Sequence, residues 1–181
     1  MIEIRVHGRG GMGSITLVEL LAKAIGFDDK FSQAFGAFGP ERRGAPVRAF
    51  CRIDDKKITL RTQVYKPDYI VILDPTLLDL PEVSDGAKPN TIFIVNSNES
   101  PKKEQREIGT KNLVYTFDAT SLALNVIGKD IVNTAMLGSF AKVTNLVTLK
   151  SVFKAIEGRF GGKLGELNNK LVNEAYKQMK V

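Results

Sequence analysis

Residues 2–24, IEIRVHGRGGMGSITLVELLAKA, decide how the rest of the chain is organised. The run first alternates isoleucine and valine with polar residues, which predicts a strand. Further along, apolar side chains recur at helical spacing and predict a helix. The turn between them satisfies the motif G-x-G-x-x-G in the strand–turn–helix context that this motif requires. We call this turn the glycine loop; its residues are Gly8, Arg9, Gly10, Gly11, Met12 and Gly13.

The glycine loop is a candidate anion site. Glycines let backbone N–H groups approach a ligand closely, and the N-terminus of the following helix favours negative charge. Ser14 is placed to cap that helix, and Arg9 can add a positive charge at the tip of the loop. The sequence therefore predicts a phosphate or carboxylate site. The alternative is that the glycines only permit a tight turn in which strand and helix pack closely.

The residues after the first helix argue against an NAD site. A dinucleotide-binding unit needs an acidic residue about 20 residues beyond the glycines, at the end of a second strand. Here Asp28, Asp29 and Lys30 precede residues 31–35, FSQAF, which do not form a clear strand ending in an acid. An ordinary NAD-dependent enzyme is therefore disfavoured.

Length and composition favour a single soluble domain spanning residues 1–181. Hydrophobic residues make up 43% of the chain, which is enough for a globular core. No apolar run is long enough to cross a bilayer, and the first residues lack the layout of a signal peptide. We expect a cytoplasmic protein with no membrane partner.

The single cysteine limits the redox and metal chemistry. Cys51 lies in an apolar run, VRAFC, so a buried structural thiol is the favoured interpretation. One cysteine excludes an intramolecular disulfide and any iron–sulfur or zinc site with only cysteine ligands. The sequence therefore predicts no metal site and no bound cofactor of this kind.

The net charge of +6 does not indicate a nucleic-acid partner. The lysines are scattered along the chain without one dominant basic block, and no aromatic-plus-basic binding motif is present. A solvated surface is the simpler interpretation, and attraction to an acidic partner protein is the functional alternative.

A second glycine-rich segment, which we call the arginine loop, runs from Phe35 to Pro46. Its glycines and prolines exclude a helix. Arg42 and Arg43 lie beside Phe38, and arginines combined with aromatic residues on a loop are typical of recognition surfaces. The alternative is that the phenylalanines pack onto the domain's own core.

The remaining pattern predicts a layered α/β fold. Residues 47–53 and 57–61 are interpreted as a β-hairpin around an acidic turn. Two buried strands follow at residues 69–73 and 91–95, and a further strand is predicted at residues 114–117. Residues 99–111 are interpreted as a solvated connection. Helices are predicted at residues 133–143, 149–160 and 164–179. The predicted fold class is a three-layer α/β/α domain with a mostly parallel, Rossmann-like sheet and a β-hairpin extension.

Three predicted strands end in polar residues, namely Asp74, Asn96 and Asp118. Ligands of open α/β sheets bind outside the carboxyl ends of the strands, where the glycine loop also lies. No catalytic set emerges from these residues. The single histidine, His7, could act as a general base, but a hydrogen-bonded structural role is favoured because no nucleophile is evident nearby.

Five stretches together resemble the gamma subunit of pyruvate:ferredoxin oxidoreductases. The glycine loop and residues 38–47, FGPERRGAPV, form the most specific pair. The resemblance continues through residues 61–68, RTQVYKPD, and 74–78, DPTLL, and returns at residues 133–138, NTAMLG.

The resemblance implies a non-catalytic subunit of a larger enzyme. Such complexes oxidatively decarboxylate a 2-oxo acid, transfer the acyl group to coenzyme A and pass electrons to ferredoxin. Thiamine diphosphate then lies between the alpha and beta subunits, and iron–sulfur clusters lie in the beta and delta subunits. The isolated chain is expected to be inactive.

The sequence leaves two points open. The glycine loop, Arg42 and Arg43 could contact coenzyme A or only the neighbouring subunits. The substrate is expected to be pyruvate, with branched-chain 2-oxo acids as the close alternative. A stand-alone nucleotide-binding or regulatory α/β domain is the alternative from a different functional class.

Overall fold

A computed structural model describes residues 1–37 and 43–181 of the chain. Its strands are β1 (Ile2–Arg9), β2 (Phe31–Gly36), β3 (Pro46–Asp54), β4 (Tyr69–Ile72), β5 (Ile92–Asn96) and β6 (Val114–Phe117). Its helices are α1 (Ser14–Phe27), α2 (Pro81–Ser84), α3 (Pro101–Ile108), α4 (Ala119–Ile127), α5 (Asn133–Thr144), α6 (Leu149–Phe160) and α7 (Gly162–Gln178), with a 3-10 turn at Pro75–Leu77.

The strands form one mixed sheet in the order β2-β3-β1-β4-β5-β6. Strands β1, β4, β5 and β6 run parallel, whereas β3 is antiparallel to β1, and β2 is antiparallel to β3. The predicted α/β class with a mostly parallel sheet and a hairpin extension is therefore confirmed.

Helices cover both faces of the sheet and complete the three layers. Helices α1, α4, α5, α6 and α7 pack over one face, around Val6, Val71 and Ile94. The other face is covered by α2, α3 and the 3-10 turn, around Ile70 and Phe93. Alternate residues of β1 consequently point toward opposite layers, because successive side chains of a strand leave opposite faces.

The hairpin extension uses different strands from those predicted. β3 pairs with β2, which precedes it, and not with residues 57–61, which are irregular and mostly exposed. β2 is held by tertiary packing: Ser32 Oγ donates a hydrogen bond to the Ala22 carbonyl of α1, and Gly36 lies against Ile15. The prediction of a loop beginning at Phe35 was also wrong, since Phe35 and Gly36 belong to β2.

The connection predicted at residues 99–111 contains helix α3. Ser100 caps it by accepting a hydrogen bond from the Lys103 amide, and Pro101 occupies its first turn. Ile108 anchors the helix in the core despite its polar composition.

The predicted helices at residues 133–143, 149–160 and 164–179 correspond to α5, α6 and α7, with end shifts of at most two residues. None of the helices in the described ranges is long and apolar enough to cross a membrane.

Candidate functional site

The glycine loop turns the chain from β1 into α1 at the carboxyl edge of the sheet. Gly11 and Gly13 adopt φ angles of 100° and 82°, a region that favours glycine. A side chain at Gly13 would also collide with the amide of Asn133, and one at Gly8 would collide with Ser14 Oγ. Packing within the chain therefore favours glycine at positions 8 and 13, whether or not the loop binds a ligand.

The structure brings the glycine loop and the arginine loop together. The Gly10 amide donates to the Ala45 carbonyl at 2.8 Å, and the Gly44 amide donates back to the Gly10 carbonyl at 3.1 Å. Two segments that are far apart in the sequence thus form one surface. Arg42 and Phe38 lie outside the described residues.

Arg9 connects this surface to the residues that follow β4. Its Nε donates to Asp74 Oδ2 at 2.6 Å and its Nη2 donates to Thr76 Oγ1 at 2.7 Å. Its Nη1 donates to the Gly44 carbonyl at 3.2 Å. The charge of Arg9 is therefore already neutralised within the chain, which differs from the positively charged tip expected from the sequence.

Asp74 is the anionic partner in this cluster. Its burial favours the neutral acid, but hydrogen bonds from the Thr76 amide and hydroxyl and from Arg9 outweigh that effect. The pKa of Asp74 consequently lies below its ordinary value. Asp74 also caps the 3-10 turn through the Thr76 amide, so it orders the loop that follows β4.

No side chain among the described residues caps the start of α1. Gly13, and not Ser14, is the N-cap residue, and it forms no side-chain cap. The capping role predicted for Ser14 was therefore wrong, because Ser14 is already the first helical residue. Its Oγ is buried and has no hydrogen-bond partner within the described part of the chain. Such a group is costly, at about 1–3 kcal/mol, unless something outside the chain bonds to it.

These features surround one cavity of about 600 Å³. The guanidinium of Arg43 borders it, and within the described ranges Arg43 forms no ion pair. The cavity therefore combines an uncapped helix N-terminus, an orphaned hydroxyl and a cation, all of which suit an anionic group. The lining residues are Arg9, Gly10, Gly11, Gly13, Ser14, Ile15, Thr16, Arg43 and Val47.

Met12 and the strand ends have local roles. The Met12 amide closes a turn on the Arg9 carbonyl, and the Met12 sulfur accepts from the Arg9 amide at 3.4 Å. Asn96 accepts from the Ala119 amide at 3.0 Å, and Asp118 accepts from the Ser121 amide at 2.8 Å. Asn96 and Asp118 thus organise the start of α4 and do not face the glycine-loop cavity.

His7 and Cys51 are both buried. His7 Nε2 accepts a hydrogen bond from Arg5 Nε at 2.9 Å, which confirms a hydrogen-bonded histidine. Burial, followed by the charges of Arg5 and Arg48, lowers the pKa of His7 to about 3. Cys51 is a buried free thiol, as predicted, and burial raises its pKa to about 12.

The sequence did not predict that Ser14 Oγ lacks a hydrogen-bond partner within the described residues. It also did not predict that Asn133 packs against Gly13. A signal for Asn133 was present, because Asn-Thr opens the helical pattern at residue 133. No signal in the sequence could reveal that Ser14 lacks a partner, since this depends on which side of the turn its hydroxyl faces.

Comparison with known proteins supports one family throughout. The family model for pyruvate ferredoxin/flavodoxin oxidoreductase matches residues 3–178. The chain is 54% identical to the pyruvate synthase subunit PorC of Methanocaldococcus jannaschii, over 99% of this chain and 97% of that protein. It is 47% identical to the common gamma subunit of the pyruvate/ketoisovalerate oxidoreductases of Pyrococcus furiosus, over 100% of this chain and 98% of that protein.

A solved structure supports the same assignment. The crystal structure of the pyruvate oxidoreductase subunit PORC of Thermotoga maritima superposes with a TM-score of 0.89 at 34% identity. The superposition covers 99% of this chain and 97% of that subunit. The chain therefore belongs to the pyruvate ferredoxin/flavodoxin oxidoreductase family.

Proposed function

We propose that this chain is the gamma subunit of a multisubunit pyruvate:ferredoxin oxidoreductase. Such an enzyme oxidatively decarboxylates pyruvate to acetyl-coenzyme A and passes the electrons to ferredoxin. The observation that carries the proposal is the 54% identity to a pyruvate synthase subunit over nearly the whole of both chains. The enzyme works in the cytoplasm, in association with alpha, beta and delta subunits.

The chain's own residues do not suit the redox cofactors of this reaction. Iron–sulfur clusters are held by several cysteine thiolates, and this chain has only one cysteine. Ser84-Asp85-Gly86 does not form the Gly-Asp-Gly motif that binds thiamine diphosphate in the family. Thiamine diphosphate and the clusters therefore belong to the partner subunits, and the isolated chain is inactive.

The cavity at the glycine loop is the part of this chain that contacts coenzyme A. An uncapped helix N-terminus offers backbone N–H groups to a phosphate, as many nucleotide sites do. Arg43 supplies the cation, and Ser14 Oγ can donate the hydrogen bond that it does not make within the chain. These groups bind and orient an anionic part of the substrate. Arg42 belongs to the same proposed site.

One observation favours a second candidate, a gamma subunit shared between two enzymes. The relatives in Pyrococcus furiosus and Thermococcus kodakarensis, at 47% and 50% identity, are described as common to pyruvate and ketoisovalerate oxidoreductases. A shared subunit would serve pyruvate and a branched-chain 2-oxo acid through different partners. Assays of the native complexes on a panel of 2-oxo acids distinguish the two candidates.

Reconstitution tests the proposed function. The partner subunits assembled without this chain should fail to couple pyruvate oxidation to coenzyme A and ferredoxin. Adding the purified chain should restore that activity. Full activity in its absence would contradict the proposal.

A further inference from the structure

A second cavity lies at the carboxyl edge of the sheet, as the glycine-loop cavity does, but on the sheet face opposite α1. Its volume is about 340 Å³, within the range of about 300–1,000 Å³ found for ligand pockets. It shares no lining residue with the glycine-loop cavity. The lining residues are His7, Pro46, Arg48, Leu77, Leu80, Glu82 and Val83.

The first polar group of this cavity is the His7 ring. Arg5 Nε–H can only donate, so His7 Nε2 accepts and the ring proton is carried by Nδ1. Arg5 is itself fixed, because its Nη2 donates to the carbonyls of Val83 and Asp85. Within the described part of the chain, His7 Nδ1–H has no hydrogen-bond partner. It is a donor with a fixed orientation.

The second polar group is Arg48. His7 and Arg48 are cross-strand partners in the β1–β3 register, so their side chains leave the same face of the sheet. Arg48 is half-buried, and in the described ranges it forms no ion pair or side-chain hydrogen bond. A cation and a neutral N–H donor therefore line one cavity, and within the described residues neither is bonded to an acceptor. That combination suits a carboxylate.

The remaining walls limit what else can bind. Leu77, Leu80 and Val83 provide apolar surface from the 3-10 turn and α2. Glu82 is exposed at the rim, where its negative charge disfavours a second carboxylate on the ligand. The ligand should therefore carry one carboxylate at one end and a compact apolar group at the other.

We propose that this cavity binds a small monocarboxylate with a short, compact apolar tail. The carboxylate accepts from the Arg48 guanidinium and from His7 Nδ1–H, and the tail packs against Leu77, Leu80 and Val83. This site is separate from the one proposed for coenzyme A, and it does not depend on the proposed function.

Calorimetric titration of the full chain with 3-methylbutanoate tests the proposal. We expect saturable binding, and binding of the neutral isostere 3-methylbutanamide weaker by about tenfold or more, as lost charge-assisted hydrogen bonds predict. Butanedioate should also bind more weakly, because Glu82 repels its second carboxylate. Absence of binding at millimolar concentration, or equal binding of the amide or of butanedioate, would overturn the proposal.

Variants locate the binding in this cavity. Arg48→Gln should weaken 3-methylbutanoate binding by about tenfold or more, whereas the exposed control Arg61→Gln should leave it unchanged. In the unaltered chain, the ring nitrogen resonances of His7 should shift with 3-methylbutanoate and not with the amide. Unaltered binding in a folded Arg48→Gln chain, or unshifted His7 resonances at saturation, would refute the site.

Discussion

Arg9 and Asp74 form an ion pair in which Nε lies 2.6 Å from Oδ2. The pair joins the end of β1 to the turn after β4, across the point where the chain changes from one face of the sheet to the other. The third donor of Arg9 reaches the Gly44 carbonyl, so the same side chain also holds the arginine loop. Arg9 thus positions the loops that border the glycine-loop cavity.

Replacing Arg9 should therefore affect stability more than replacing Arg43. We expect Arg9→Ala to lower the free energy of unfolding by about 1 kcal/mol, a modest value because Arg9 is partly exposed and screened by solvent. Arg43→Ala, which removes no hydrogen bond within the described residues, should change it by less than about 0.5 kcal/mol. Urea unfolding of both variants measures this difference. Equal losses would contradict the positioning role of Arg9.

Ser14 should show opposite effects on stability and on ligand binding. Ser14→Ala removes a buried hydroxyl without a partner, so we expect the free chain to be stabilised by up to about 1–3 kcal/mol. The same change should weaken coenzyme A use by the assembled enzyme. The control Ser139→Ala removes a hydroxyl that donates to the Ala135 carbonyl, and it should not stabilise the chain. A Ser14→Ala chain that is no more stable than the unaltered protein would refute this account.

A side chain should lower the free energy of unfolding more at Gly13 than at a glycine that has open space around it. Gly13→Ala combines a positive φ with a collision against Asn133, so we expect a loss of about 1–3 kcal/mol. Gly109→Ala also has a positive φ, of 70°, but meets open space, and its cost should be about 1 kcal/mol. Thermal melts of the two variants give the comparison. A smaller loss for Gly13→Ala than for Gly109→Ala would contradict the packing described for the glycine loop.

The ion pair of Asp74 should make stability depend on pH. Because the pKa of Asp74 is lower in the folded chain, its contribution is present above the unfolded-state value of 3.8 and is lost as the pH falls through the folded value. We expect Asp74→Asn to be less stable than the unaltered chain at neutral pH. The difference should shrink as the pH falls below 3.8. A difference that is constant across this range would show that ionisation of Asp74 does not contribute.

The parallel part of the fold could be predicted because its signals are local. The strand at Ile2–Arg9, the glycine turn and the helix at Ser14–Phe27 follow from residue periodicity and glycine spacing. β2 could not be predicted in this way. Its sequence, FSQAFG, has weak alternation, and it becomes a strand through pairing with β3 and packing against α1.

The candidate site likewise combines features set by local sequence with features set by tertiary contacts. Composition identified the glycine loop and the arginine loop as candidates. It could not predict the hydrogen bonds that join the two loops at Gly10. The second cavity depends on the register that sets His7 beside Arg48. Helix α3 is a different case, since Ser100 and Pro101 are ordinary start signals that its polar composition obscured.

Purification of the tagged chain from its native cells without oxygen is the sharpest test of whether it is a gamma subunit. We expect the chain to be recovered with iron-containing partner subunits in a fixed ratio. That complex should reduce ferredoxin only when pyruvate and coenzyme A are both present. A colourless chain recovered alone, with no pyruvate-dependent ferredoxin reduction in the same preparation, would contradict its assignment as a gamma subunit.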